Sequence, residues 1–191
     1  MSENKLREFV FNGLLLNDTF NLLEKEGISV RQSGDFEPVS RVVEADFSPI
    51  IWHNAVDMAS VYQSIFCIEN TLRNFIVERM SERHGLDWWI NKVPKKIQDD
   101  VKKLKTKEAK NKFFSSRSDS EIGYTMMGNL GQIIINNWDD FSDIIPSQAW
   151  LTSRMDDLEM ARNIVMHTGI LPQIEIERIT SIVRDILRQI G

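Results

Sequence analysis

The stretch from Trp52 to Arg83 repeats apolar residues at helical spacing and is closed by Gly85, so one long helix sets the terms for everything packed around it. Met58, Tyr62, Ile65, Leu72 and Ile76 mark the stripe it is expected to bury. Such a stripe needs cover from other elements, and the downstream text supplies helices. A short basic helix begins at Pro94, after the break "GLDWWINKVPKKI". "TMMGNLGQIIINNWDDFSDII" reads as a third helix ending near Pro146. Ser147 caps a fourth, from Gln148 to His167. Pro172 separates it from a fifth, "QIEIERITSIVRDILRQI". The segment "KTKEAKNKFFSSRSDSEIGY" reads as a polar, mobile connection. The expected fold is all-α, a bundle of four to five helices over residues 49–191, with no internal repeat.

The first 48 residues read differently. Leu6 to Lys25 has helical spacing and is stopped by Gly27. "ISVRQSGDFEPVSRVVEADFSPI" mixes β-branched residues with Gly34, Pro38 and Pro49, which suits a loop or one short hairpin. Residues 1–48 are therefore expected to form a small helix-and-loop extension. An apolar content of 42% against 27% charged residues excludes wholesale disorder. The single cysteine, Cys67, excludes an intrachain disulfide and a Cys-based zinc site, and fits a reducing compartment. No apolar run reaches the ~18 residues of a membrane span. "MSENKLREFVFNG" has no export-signal pattern, so a cytoplasmic protein with no membrane partner is expected.

A net charge of −5 does not mark a nucleic-acid binder, but the charge is segregated. Lys92 to Arg117 holds ten Lys/Arg against three acids, and Ser118 to Ala161 one base against eight acids. The basic run, with Lys95, Lys96, Lys102 and Lys103, is either a solvated helix face or a surface that steers phosphates.

The fourth helix carries polar residues inside an apolar pattern. Leu151, Met155, Leu158 and Val165 follow the helical period, and Arg162 falls in the same stripe. Asn163 and His167 share a face, whereas Arg162 and His167 stand about 140° apart on an ideal helix. The two converge only if the Arg side chain bends across or the helix loosens before Gly169. Glu69 lies in the stripe of the first helix and needs a partner there; Arg73, four residues on, and Arg162, across the bundle, are the candidates. With 12 Arg and three His in the chain, chance supplies roughly 0.6 matches to an Arg–His spacing of this kind. A second match, Arg79 to His84, straddles a helix end and reads as capping and solvated charge. Arg162 and His167 admit a structural reading as well, an ion pair to Glu69 and a helix cap.

The series "IENTLRNFIVERM", "HGLDWWINKVPKKI", "NLGQIIINNWDDF" and "MARNIVMHTGIL" resembles the HEPN superfamily (higher eukaryotes and prokaryotes nucleotide-binding domains), and within it the Swt-type HEPN domain with its stand-alone bacterial relatives. The resemblance runs from about Pro49 to the C-terminus and rests on the order Trp88-Trp89, Asn137-Trp-x-x-Phe141, Arg162-Asn163-x-x-x-His167. It implies a helical bundle that commonly dimerises. It also implies metal-independent RNase activity in many members, with the Arg and His of the last motif as active residues and Asn163 as the polar residue after the Arg. Glu69 matches a Glu that often supports the motif Arg. Many prokaryotic members act in toxin–antitoxin or antiphage systems, beside an antitoxin or regulatory protein.

The chemistry fits RNA, whose own 2′-hydroxyl is the nucleophile. Histidine, with an ordinary pKa of ~6.5, suits the proton steps. The arginine fork matches phosphate oxygens. Asn163 is suited to hold either His167 or the substrate. The three His lie far apart, so no metal or other cofactor is expected. The expected reaction yields a 2′,3′-cyclic phosphate and a 5′-hydroxyl, with a homodimer supplying a second His. The competing class is a non-catalytic HEPN module that binds a partner protein or RNA. A nucleotide sensor finds no Gly-rich phosphate loop in this chain.

Overall fold

A computed structural model describes residues 46–111, 113 and 115–191 of the chain; the Leu6–Lys25 segment and the irregular stretch after it lie outside the described residues. Residues Phe47–Gly191 pack as one unit. Six α-helices build it: α1 (Pro49–His84), α2 (Trp88–Lys92), α3 (Lys95–Glu108), α4 (Met127–Asn136), α5 (Gln148–Met166) and α6 (Gln173–Ile190). Two single 3₁₀ turns, Ile122–Tyr124 and Trp138–Asp140, join them, and no strand occurs among the described residues.

Helix α1 starts on Pro49, whose fixed φ suits a first helical residue, and stops at Gly85, where φ is 71°. Its 36 residues extend about 54 Å. Met58, Val61, Ile65, Ile68, Leu72, Ile76 and Met80 form the buried face, in steps of three and four. Tyr62, expected in that stripe, is 44% exposed, because Val61 occupies the inward position one residue earlier. Tyr62 instead meets Phe66 on the outer face, ring centroids 6.1 Å apart.

Helices α4, α5 and α6 pack against α1, and α5 also contacts both α4 and α6. Leu130, Ile133, Ile134, Phe141 and Leu158 are fully buried between them, each side chain worth about 1.5–3 kcal/mol of burial. Two glycines at a spacing of three bring α4 close to α5. A Cβ on Gly131 would lie 3.2 Å from Met155, and one on Gly128 would lie 2.5 Å from the Glu159 carboxylate.

The third expected helix is broken. Helix α4 ends at Asn136, and Asn137 leaves helical geometry at φ −117°, ψ 40°. Side-chain competition explains the break: Asn137 Nδ2 donates to the Ile133 carbonyl at 2.8 Å and to the Lys92 carbonyl at 3.2 Å. The expected polar connection is also partly structured. Its first residues extend α3 to Glu108, and Ile122 and Tyr124 are buried. Lys105 and Arg117 stand 5.5 and 5.4 Å from the Tyr124 ring centre, which ties the start and middle of the segment to the aromatic ring at its end.

Ser147 caps α5 as expected, its Oγ accepting the Trp150 N–H at 3.1 Å. Arg154–Asp185 and Arg178–Asp157, both at 2.7 Å, link α5 to α6. After α5 the chain turns so that the Leu171 N–H meets the Met58 sulfur at 3.4 Å. The end of α5 therefore lies against the early turns of α1. His84, at the far end of α1, is about 39 Å beyond Met58 at 1.5 Å per residue. Among the described residues no helix is long and apolar enough to cross a membrane.

Candidate functional site at the end of helix α5

Leu151, Met155, Leu158 and Ala161 form the buried stripe of α5. Arg162 is half-buried at its edge, one position past Ala161, rather than within the stripe as the spacing suggested. Asn163 and His167 are exposed. Arg162 Nη1 donates to Asn163 Oδ1 at 3.2 Å. Asn163 thus braces Arg162, and it meets His167 through the backbone alone: the His167 N–H donates to the Asn163 carbonyl at 3.1 Å and the Ile164 carbonyl at 3.2 Å.

Helical geometry ends at Met166, just before His167, which takes the helix-cap position of the structural reading at φ −100°, ψ 23°. Among the described residues no ion pair reaches Arg162, and no side-chain hydrogen bond reaches the His167 imidazole. Among the described residues the two side chains thus stand without a charged partner at the end of a helix that buries one stripe.

Glu69 and Arg73 form an ion pair one turn apart on α1, with side chains 14% and 15% exposed. Arg73 Nη1 also donates to Asn70 Oδ1 at 3.1 Å, and Nη2 to the Thr125 carbonyl at 2.9 Å. Of the two partners the sequence offered for Glu69, the structure uses Arg73; no Glu69–Arg162 ion pair forms. Arg73 pins the segment just before α4, and α4 in turn seats Gly128 against Glu159, one turn before Arg162. Glu159 and Gly128 escaped the sequence reading. The Gly128-x-x-Gly131 spacing, a mark of close helix approach, was the available signal.

The second Arg–His match has a different fate. His84 Nε2 lies 2.6 Å from Asp140 Oδ2, Arg79 Nε donates to the Asp140 carbonyl at 2.7 Å, and Arg79 also pairs with Asp143. Arg83 reaches Asp140 at 3.5 Å and Asp143 at 3.6 Å. These residues are not solvated charge at a helix end. They clamp α1 to the 3₁₀ turn at Trp138–Asp140. Burial raises the Asp140 carboxyl, but the His84 hydrogen bond and the charges of His84 and Arg83 outweigh it and hold the group below its ordinary value. The Arg79 hydrogen bond holds Asp143 below its ordinary value.

Lys95, Lys96, Lys102 and Lys103 are all exposed on α3. Lys95 faces Asp99 at 3.7 Å and Lys103 faces Asp100 at 3.0 Å. Lys102 and Lys103 line an open cavity of about 510 Å³ with Asp99, Thr106, Lys107 and Lys110. No hydrogen bond or ion pair links these lysines to Arg162 or His167 among the described residues. Beside the motif, the apolar Met160, Ala161, Ile164, Leu171 and Ile179, with the charged Asp157, Glu175 and Arg178, line a small groove between α5 and α6. Met160 and Ile164 of this lining are exposed, as are Met166, Ile170 and Ile174 in the same stretch of chain. Among the described residues no group of three or more His, Cys, Asp or Glu is placed to hold a metal ion.

Residues 63–191, more than half of the chain, match the family model described as Swt1-like HEPN. No curated protein and no solved structure matches the chain.

Proposed function

The chain belongs to the Swt1-like HEPN family, and we propose from that membership that it is a metal-independent endoribonuclease working at the Arg162–His167 end of α5. HEPN domains are commonly RNases or nucleotide-related proteins. The observation that carries the reading here is the bareness of the pair. Among the described residues Arg162 is held only by a neutral amide, so its remaining donors are available to a phosphate. The His167 imidazole is exposed and carries no hydrogen bond among the described residues.

His167 removes the proton of the RNA 2′-hydroxyl, which attacks the adjacent phosphorus. Arg162 answers the charge that grows on the non-bridging oxygens. Asn163 keeps the guanidinium plane in place. The P–O5′ bond breaks, the leaving oxygen takes a proton, and the products are a 2′,3′-cyclic phosphate and a 5′-hydroxyl. The leaving-group proton needs a second donor, and a homodimer provides one from the second copy of His167. HEPN domains often dimerise and bind RNA. The exposed apolar side chains around the motif, Met160, Ile164 and Met166 among them, suit burial against a second copy. The α3 lysines contribute RNA affinity. The family resemblance supports a role as a toxin or antiphage effector, restrained by an antitoxin or regulatory protein, in the cytoplasm.

The same apolar rim favours a second reading, a non-catalytic module that docks a protein or RNA. One experiment separates them: chelator-treated wild type and His167→Ala on labelled single-stranded RNA, with the product ends analysed. Cleavage to cyclic phosphate by wild type alone supports the nuclease. No cleavage by either, with RNA or protein binding retained, supports the module. Metal-dependent cleavage leaving 3′-hydroxyls refutes the mechanism.

A further inference from the structure

Helix α5 ends in a complete two-bond cap. The Gly169 N–H donates to the Ile164 carbonyl at 2.8 Å, and the Thr168 N–H to the Val165 carbonyl at 3.1 Å. This cap needs a left-handed residue between its bonds, and glycine is the usual one. The chain places Thr168 there, at φ 61°, the one positive-φ residue other than glycine among the described residues. A β-branched side chain in that region is strained. A glycine is available one position later, but it is needed there for room: a Cβ on Gly169 would lie 2.7 Å from Ile164 Cγ2 and 2.9 Å from the Ile164 carbonyl. Two adjacent positions therefore favour glycine, and the one next to His167 carries threonine.

What threonine adds is a grip on His167. Thr168 Oγ1 donates to the His167 carbonyl at 2.6 Å. The His167 N–H is already held by the Asn163 and Ile164 carbonyls. Both polar groups of the His167 backbone are thus engaged, and the stiff χ1 of threonine keeps the hydroxyl on its partner. Glycine at 168 would relieve the strain and leave this end of α5 free to turn.

We propose that Thr168 is a positioning residue: its strained, hydroxyl-bonded conformation fixes the His167 backbone and so the point from which the imidazole reaches substrate. The role rests on the reading of His167 as the proton-transfer residue. Displacing a reacting group by about 1 Å costs on the order of 10²-fold in rate. A loosened but folded cap should cost part of that, about tenfold.

The test uses the full chain with Thr168→Gly and Thr168→Ser. Thr168→Gly is expected to melt at the same temperature as wild type or a few degrees higher. Its kcat on labelled RNA should fall about tenfold with KM unchanged. Thr168→Ser, which keeps the hydroxyl, should retain most of the wild-type kcat. Backbone ¹⁵N relaxation at His167 should show a lower order parameter in Thr168→Gly alone. Unchanged kcat and unchanged order in Thr168→Gly would overturn the proposal. If wild type cleaves no RNA, the nuclease reading fails, and the relaxation and melting data still decide whether Thr168 fixes His167.

Discussion

The two Arg–His pairs have the same sequence spacing and opposite surroundings. Arg79 and His84 close one end of α1, and both are answered by acids: Asp140 takes His84 and Arg83, and Asp143 takes Arg79. Arg162 and His167 close α5 against the other end of α1, where, among the described residues, Arg162 has a single neutral amide for company. A guanidinium committed to carboxylates has little left for a phosphate, whereas one braced by an amide keeps both its charge and its donors. Spacing alone therefore does not identify a site. The supply of acids distinguishes the two pairs, and the "NWDDFSD" segment is folded onto the first. The difference separates a clamp from the surface proposed for catalysis on the same helical scaffold.

The sharpest way to break this contrast is to remove the two histidines in parallel. His167→Ala should lose ~10²–10⁴-fold in kcat, the usual worth of a general acid–base group, and melt like wild type. Arg162→Ala should lose a comparable factor through the transition-state charge. His84→Ala should keep its activity per folded molecule and lose stability instead. If His84→Ala abolished cleavage in a fully folded protein, the assignment of the two ends would be reversed. Cleavage-product quantification with circular dichroism melts on the same preparations decides between these outcomes.

Much of the bundle was legible before the structure because helical periodicity and punctuation are local. Gly85, Ser147 and Pro172 mark real boundaries, and Ile65, Leu72 and Leu158 are buried as their spacing requires. The misses came where a longer-range contact overrode local preference. Asn137 ended α4 by bonding back to Ile133 and across to Lys92, which no period reveals. Asp140 captured His84 across 56 positions of sequence. Glu69, by contrast, kept the local partner its i,i+4 spacing offered, Arg73, which also reaches the Thr125 carbonyl. At the motif, the residues were visible as text. Their bareness was not, because the lack of a partner is a property of the fold.

A smaller effect tests the clamp by itself. Asp140, 15% exposed, is bonded to a histidine and an arginine. Asp140→Asn should cost about 1–3 kcal/mol, as hydrogen bonds to charged groups do. At this chain length a loss of that size lowers Tm by about 2–4 °C per kcal/mol. Asn163→Ala, on the bare pair, should stay within about 0.5 kcal/mol of wild type, as surface changes do. Acid titration sharpens the same point. The Asp140 and Asp143 carboxyls lie below their ordinary value of 3.8 in the folded chain. The unfolded chain therefore binds protons first, and stability rises with pH through this window. It is fully present above the ordinary value and is lost as pH falls through the folded values. Asp140→Asn should flatten that acid slope. An identical slope in wild type and variant would show that the clamp carries none of it.

The smallest expected effect concerns the surface that serves the bare pair. Lys95, Lys96, Lys102 and Lys103 are exposed on α3, and two of them already face an aspartate. Surface ion pairs of that kind are worth under about 1 kcal/mol, so an arriving phosphate competes with them easily. Each lysine that contacts a single-stranded backbone contributes about 0.7 to the slope of log binding constant against log salt. Lys102→Gln with Lys103→Gln should therefore reduce the slope by about 1.4 at most, raise KM at physiological salt, and leave kcat unchanged. Lys102 and Lys95 lack short-range competition of equal strength, Lys95 facing its aspartate at 3.7 Å against 3.0 Å for Lys103. Lys102→Gln alone should thus move the slope more than Lys103→Gln. Filter binding of labelled RNA across a salt series measures it. A drop in kcat for the lysine variants at saturating RNA would place α3 in the chemistry and end its treatment as a steering surface.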